Sequence, residues 1–182
     1  MGRELRHEEP GGVYHVWSRG SDRQRIVTAP RDRLDWVRLL AAASVKFEWT
    51  LYSWCLMRNH FHLLLQIRET GLSSGMQWLN GGFSRLFNAR HGRDAHLFRN
   101  RFSSRLIETE EQLLIACRYI ERNPVRAGEC ASPVDWRWSS FRACAGLDPA
   151  PTFVARSQVL ALFGIPEETA VARYREFVLA PD

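Results

Sequence analysis

Lysine is almost missing from this chain: of 25 basic residues among 182, only Lys46 is not arginine. No two of its four cysteines, Cys55, Cys117, Cys130 and Cys144, stand at CxxC spacing. That excludes a zinc knuckle or a disulfide framework and leaves reduced, mostly buried thiols. No apolar run reaches the roughly 18 residues of a membrane span, and the opening MGRELRHEEPGG has no hydrophobic segment to act as a signal peptide. The expectation is a cytoplasmic protein without a membrane partner. Glycine-rich phosphate loops and regular βαβ spacing are also missing, which excludes a doubly wound sheet. Internal repeats and low-complexity tracts are absent as well.

What is present is arginine, and it is unevenly placed. Residues 1–147 hold 22 basic against 15 acidic side chains, whereas residues 148–182 hold 3 against 5. The guanidinium fork pairs with phosphate better than a point ammonium does, so nucleic acid is a natural partner for the main body. The length suits one well-packed core with an appendage. We divide the chain into a main body, 1–147, and a helical extension, 148–182, after the linker-like DPAPT.

Hydrophobic periodicity supplies the elements. VYHVWSR, from Val13 to Arg19, has the aromatic and β-branched content of a strand. A helix is expected from about Arg31 to Lys46, with Leu34, Val37 and Leu40 inward. Trp49 to Met57 and His60 to Ile67 read as a hairpin around Arg58-Asn59. A second helix, about Ser74 to Arg90, turns Met76, Leu79, Phe83 and Leu86 to one side. A strand follows from Phe102 to Ile107. Thr109 and Gln112 then form a capping box opening a third helix, which is expected to stop near Asn123 because Pro124 disfavours helical geometry before it. WRWSSFRA closes the body, and Val154 to Val178 forms two short helices broken at Gly164 and Pro166. The sum is an α+β fold, a central antiparallel sheet flanked by helices.

In LMRNHFHLLLQ, strand alternation puts His60, His62, Leu64 and Gln66 on one side, and Phe61, Leu63, Leu65 and Ile67 on the core side. The two imidazoles then stand roughly 7 Å apart between Cα atoms, close enough to converge on one ion. An HxH pair also serves as ordinary hydrogen-bonded strand residues. Zinc, manganese and iron accept imidazole, whereas magnesium prefers oxygen and needs water and phosphate to complete its shell.

On the third helix, with Leu113, Cys117 and Ile120 inward, Tyr119 lies on the flank and Asn123 follows one turn later. Arg118 and Arg122 are expected to point further out. The surface suits phosphate, although a boundary tyrosine can equally pack its ring and wet its hydroxyl. A phenol ordinarily ionises near about pH 10, so Tyr119 as nucleophile needs a neighbouring cation to assist attack.

NHFHLLLQ, HLFRNRFSSRLIE, YIERNPVRAG and WRWSSFRA, in that order, resemble the single-tyrosine transposases of the HUH endonuclease superfamily, and within it the REP-associated tyrosine transposases of bacteria. The similarity runs from about Gly12 to Ala145, and the tail looks like an extension seen in many of them. The resemblance implies a ferredoxin-like, RNA-recognition-like sheet, with His60 and His62 as metal ligands, Asn123 as the third and Tyr119 as nucleophile. It implies Mg²⁺ or Mn²⁺ as cofactor and single-stranded or hairpin DNA as partner, the hairpin being a palindromic repeat with a flanking tetranucleotide. A 5′-phosphotyrosine link and a free 3′-hydroxyl would form, and rejoining would need no ATP. Where the family usually has proline before Asn-His, this chain has Arg58, which is expected to alter the turn without removing a ligand. Relatives act as monomers or as homodimers that exchange tyrosines.

For DNA contacts the candidates are Arg19 and Arg23 in the first loop, then Arg85, Arg90, Arg93, Arg99, Arg101 and Arg105, opposed within their stretch only by Asp94, and Arg118 and Arg122. Phe87, Phe98 and Phe102 lie among them as candidate base-stacking surfaces, with Phe83 and Phe87 the more core-like. A non-catalytic hairpin binder and a hydrolase using an activated water at the histidines are the rival readings. His15, His91 and His96 receive no role.

Overall fold

The computed structural model describes residues 8–99 and 101–181; the first seven residues of the amino-terminal stretch lie outside them. Strand β1 (Val13–Arg19) is followed by helix α1 (Pro30–Lys46), the hairpin β2 (Thr50–Leu56) and β3 (His60–Gln66), and helix α2 (Leu72–His91). Then come β4 (Ser103–Ile107), α3 (Glu110–Arg126), the single turn α4 (Phe141–Cys144), α5 (Arg156–Ala161) and α6 (Glu167–Leu179). The strands form one antiparallel sheet in the order β2-β3-β1-β4. The expected α+β class, an antiparallel sheet flanked by helices, is what the chain adopts. Among the described residues no helix is long and apolar enough to cross a membrane.

The run HFHLLLQ is buried along nearly its whole length because β3 is central and both faces are covered. On one face Phe61 and Trp54 meet Trp36 of α1, with ring centroids 5.0 and 5.8 Å apart. Helix α2 lies on this side too, joined to β1 through Asn80 Nδ2 donating to Ser18 Oγ at 2.8 Å. The other face, which carries the histidines, packs under α3 where β2 and β3 lie, so the core is not confined to the Phe61 side. At β1 this second face stays half-buried: His15 and Trp17 alternate with the buried Tyr14, Val16 and Ser18.

Several details depart from the sequence reading. The buried stripe of α1 runs through Trp36, Leu40 and Ala43, while Leu34 is exposed; on α2, Phe87 rather than Leu86 turns inward. Gly75 is the glycine that α2 needs, since a Cβ there would stand 2.2 Å from the Trp49 ring. Helix α3 does not stop at Asn123 but continues through Pro124 to Arg126, ending where Gly128 turns left-handed at φ +70°. Arg58 is held in the hairpin turn: its carbonyl accepts from the N–H groups of Ile26 and Val27, and its guanidinium pairs with Glu129 at 2.7 Å.

The segment after residue 148 shares the core of the main body. Val154 bridges Leu51 of β2, and Tyr174 and Val178 of α6 are fully buried in the same cluster. Glu121 of α3 ties these parts together. Its Oε1 accepts from Ser53 Oγ (2.9 Å), Ser140 Oγ (2.6 Å) and Tyr174 OH (3.4 Å), while Oε2 has no partner among the described residues. Burial without a cation pushes this carboxyl up to about 7 against the hydroxyl bonds that hold it down.

Trp36 is the keystone of the α1 face, fully buried between two aromatic rings. Trp36→Ala is expected to cost about 3–5 kcal/mol in chemical denaturation, the range for removing a large buried aromatic side chain. A loss below about 1 kcal/mol would show that the site is not packed in this way.

Candidate functional site

The hairpin turn sets the first histidine. Asn59 Nδ2 donates to the Arg23 carbonyl at 3.2 Å, which fixes the amide and leaves its Oδ1 2.7 Å from His60 Nδ1. An amide oxygen only accepts, so the His60 proton sits on Nδ1 and Nε2 carries a lone pair. Facing that lone pair, 3.0 Å away, is Asn123 Oδ1 from α3. Two acceptors at this distance can converge on one cation. A second ring proton is disfavoured, because burial lowers the His60 pKa and the field of Arg19 adds to it, although the Asn123 contact acts the other way. A divalent cation suits the pair.

His62 is 5% exposed, and its ring stands perpendicular to that of His60 with centroids 5.1 Å apart. Burial, followed by the fields of His15, His60 and Arg19, holds its pKa well below the ordinary imidazole value. Its Nδ1 lies 2.9 Å from Nε2 of His15 on β1. His15 is itself pushed down to about 4, first by burial and then by Arg105. All three imidazoles are therefore neutral at pH 7 and have lone pairs to offer.

Among the described residues no group of three or more His, Cys, Asp or Glu side chains is gathered to hold a metal ion. The candidate donor set is instead the pair His60 and His62 plus the amide oxygen of Asn123. Two imidazoles and one carbonyl-type oxygen fit manganese, and fit magnesium if water and phosphate complete its shell.

Tyr119 stands over this set. Its ring is edge-on to His62 at 5.6 Å and to His15 at 5.8 Å between centroids, and the residue is 37% exposed. Phenol and imidazoles thus share one face of the sheet within one chain. The Arg126 guanidinium lies 5.2 Å from the Tyr119 ring centre. Arg126 was invisible in the sequence reading because it lies beyond Pro124, where the helix was expected to have ended; at i+7 from Tyr119 a continuing helix returns it to the same flank. His15 was missed for another reason, since its approach to His62 depends on the β1–β3 register, in which Trp17 stands opposite His62.

The arginines divide into two groups. Arg19 and Arg105 are exposed on the site face, paired across the sheet with His60 and His15, and Arg99 joins them through its N–H donating to the Arg19 carbonyl at 3.2 Å. Arg23 and Arg101 are exposed in adjoining loops, and Arg85 is exposed on α2. Others are engaged within the protein. Arg90 pairs with Asp32 and Asp35 of α1, and Arg93 donates to Gln24 Oε1. Arg118 and Arg122 do not project outward as expected but grip the end of α6. Arg118 donates to the carbonyls of Phe177 (2.9 Å) and Ala180 (2.6 Å), and Arg122 to that of Val178 (3.0 Å). The cause is the unfilled carbonyl set at a helix C-terminus, which attracts cations.

A groove of about 490 Å³ runs between α3 and this end of α6, lined by Tyr119, Arg118, Arg122, Arg126, Phe177 and Ala180. The proposed stacking aromatics are core residues: Phe87 and Phe102 are buried, and Phe98 packs on Phe61 and Phe83. Half-buried Trp17, 5.1 Å from His15, is the aromatic surface at the site. His91 contacts Asp32 at 3.1 Å and His96 is exposed on a loop, both apart from the histidine pair.

Comparison with known proteins bears on the family and the fold. The family of IS200-like transposases matches residues 11–123. A Haemophilus influenzae protein named as a REP-associated tyrosine transposase is 29% identical over a 98-residue alignment that covers 48% of this chain and 56% of that protein; the chain thus matches little more than half of its relative's length. A solved structure of a REP-associated tyrosine transposase bound to a REP hairpin superposes with a TM-score of 0.67 at 19% identity, over 82% of this chain and 89% of the other, and shares its fold. Because the family match spans well over half of its 182 residues, this chain belongs to the IS200-like transposase family.

Proposed function

We propose that this protein is a metal-dependent single-stranded DNA endonuclease and strand transferase that acts on palindromic repeat hairpins through a 5′-phosphotyrosine link at Tyr119. The observation that carries the reading is the convergence of His60, His62, Asn123 and Tyr119 on one face of the sheet. The hairpin as substrate is supported by the shared fold with a transposase whose structure holds a REP hairpin.

Mg²⁺ or Mn²⁺ held by His60, His62 and Asn123 would neutralise charge on the scissile phosphate and on the departing oxygen. The chain's own residues supply the rest. The Tyr119 oxygen attacks phosphorus, losing its proton to solvent, while the bond from phosphorus to the 3′-oxygen breaks and that oxygen takes up a proton. The products are a tyrosine phosphodiester to the 5′ strand and a free 3′-hydroxyl, so the bond energy is retained for rejoining. Arg126 beside the phenol offers a guanidinium to the phosphate, and Arg19, Arg99 and Arg105 line the approach over β1 and β4. If three of these arginines meet phosphate, log affinity for single-stranded flanks should fall against log salt with a slope of about −2, read by titration at several ionic strengths.

The test is incubation of labelled repeat hairpins of several sequences with Mn²⁺ and either wild type or Tyr119→Phe. A denaturation-resistant protein–DNA band in wild type alone is the expected result. Cleavage surviving in Tyr119→Phe would point to an activated water, and binding without cleavage in wild type would leave a hairpin-binding protein.

A further inference from the structure

His62 is held by a residue outside the proposed ligand set. Its Nδ1 lies 2.9 Å from His15 Nε2, so only Nε2 is left for a ligand. Two ring nitrogens this close share one proton, which can be arranged in two ways. If His15 donates, the His62 proton must sit on Nε2 and no lone pair remains for a cation. If His62 donates from Nδ1, its Nε2 lone pair is free. We propose that His15 is a positioning residue that accepts the Nδ1–H of His62, holding that ring in the tautomer and orientation in which Nε2 meets the cation.

His15 sits between β3 and β4, with Leu64 opposite on one side and Arg105 on the other. The Trp17 ring, 5.1 Å from His15 and 6.3 Å from His62, and the Tyr119 ring flank the pair and limit rotation of both imidazoles. Asn59 does the same for His60, taking Nδ1–H and freeing Nε2. Each histidine of the pair thus has its own acceptor on Nδ1.

This inference rests on the reading of His62 as a ligand, and the experiment separates the two. Imidazole ¹⁵N–¹H correlation spectra of the metal-free full chain report the His62 tautomer, and titration with Mn²⁺ alone, followed by paramagnetic resonance, reports affinity. The expected result is a His62 ring protonated at Nδ1 in wild type. His15→Phe, which keeps an aromatic ring but no acceptor, should lose that preference and weaken Mn²⁺ binding about 10–100-fold. His15→Gln, whose amide oxygen can accept, should recover most of both; this rescue shows that the phenylalanine effect is not loss of folding. A wild-type His62 protonated at Nε2 overturns the proposal. So does unchanged Mn²⁺ affinity in His15→Phe when His62→Ala weakens it. If His62→Ala itself binds Mn²⁺ as wild type does, the ligand reading fails, and the role of His15 fails with it.

Discussion

His60→Ala is expected to lower Mn²⁺-dependent cleavage of a repeat hairpin by at least about 10³-fold while leaving hairpin binding in EDTA nearly unchanged. The first part follows from the donor set. His60 Nε2 and Asn123 Oδ1 face each other at 3.0 Å, and removing the imidazole removes one of the three proposed protein donors. A bound cation is worth several kcal/mol to charge developing at a phosphate, and about 4 kcal/mol corresponds to 10³ in rate. The second part follows from separation of roles. The His60 side chain is buried between β3 and α3, whereas the arginines proposed to meet DNA, Arg19, Arg99 and Arg105, are exposed on or beside β1 and β4. Asn123→Ala should fall in the same direction. Cleavage by His60→Ala within about tenfold of wild type would remove the imidazole from the chemistry.

Glu121→Gln is expected to abolish a pH-dependent weakness of the fold. Burial pushes the Glu121 carboxyl up to about 7 from its ordinary 4.5, so the folded chain binds the extra proton across this window. Its contribution is fully present below about pH 4.5 and is lost as pH rises through 7, to a total of about 3 kcal/mol. The histidines act oppositely. His15, with its pKa lowered to about 4, loses stability as pH falls through the same window, so the wild-type profile alone conceals both effects. The difference between Glu121→Gln and wild type isolates the carboxyl. It should grow by about 3 kcal/mol in favour of glutamine between pH 4.5 and 8, or roughly 6–12 °C in Tm for a chain of this size. A difference that stays flat with pH would mean that the carboxylate is solvated or paired.

Much of the site was legible because it is encoded locally. His60 and His62 are two apart on a strand, and Tyr119 and Asn123 are four apart on a helix, so each pair shares a side before any tertiary structure is known. Non-local relations were not legible. That α3 crosses the histidine face depends on packing, and the contact of His15 with His62 depends on strand register. The end of α3 was misjudged because Pro124 forbids its own N–H bond but does not forbid one further turn, and with that turn came Arg126. Among the arginines, sequence reports charge but not engagement. Arg90 is held by two aspartates of α1, and Arg118 and Arg122 by the carbonyls of a helix whose end no local pattern places beside them. The phenylalanines of the basic segment were ambiguous in the same way and went to the core.

The most direct measurement of the central claim is the mass of one peptide. Trypsin cleaves after Arg118 and Arg122, releasing Tyr119 to Arg122 as YIER. After reaction with a repeat hairpin and Mn²⁺, followed by nuclease trimming, this account predicts YIER carrying a nucleotide through a phosphodiester on tyrosine. Cut DNA with an unmodified YIER, or nucleotide mass on a peptide bearing Tyr14, Tyr52 or Tyr174, would contradict it.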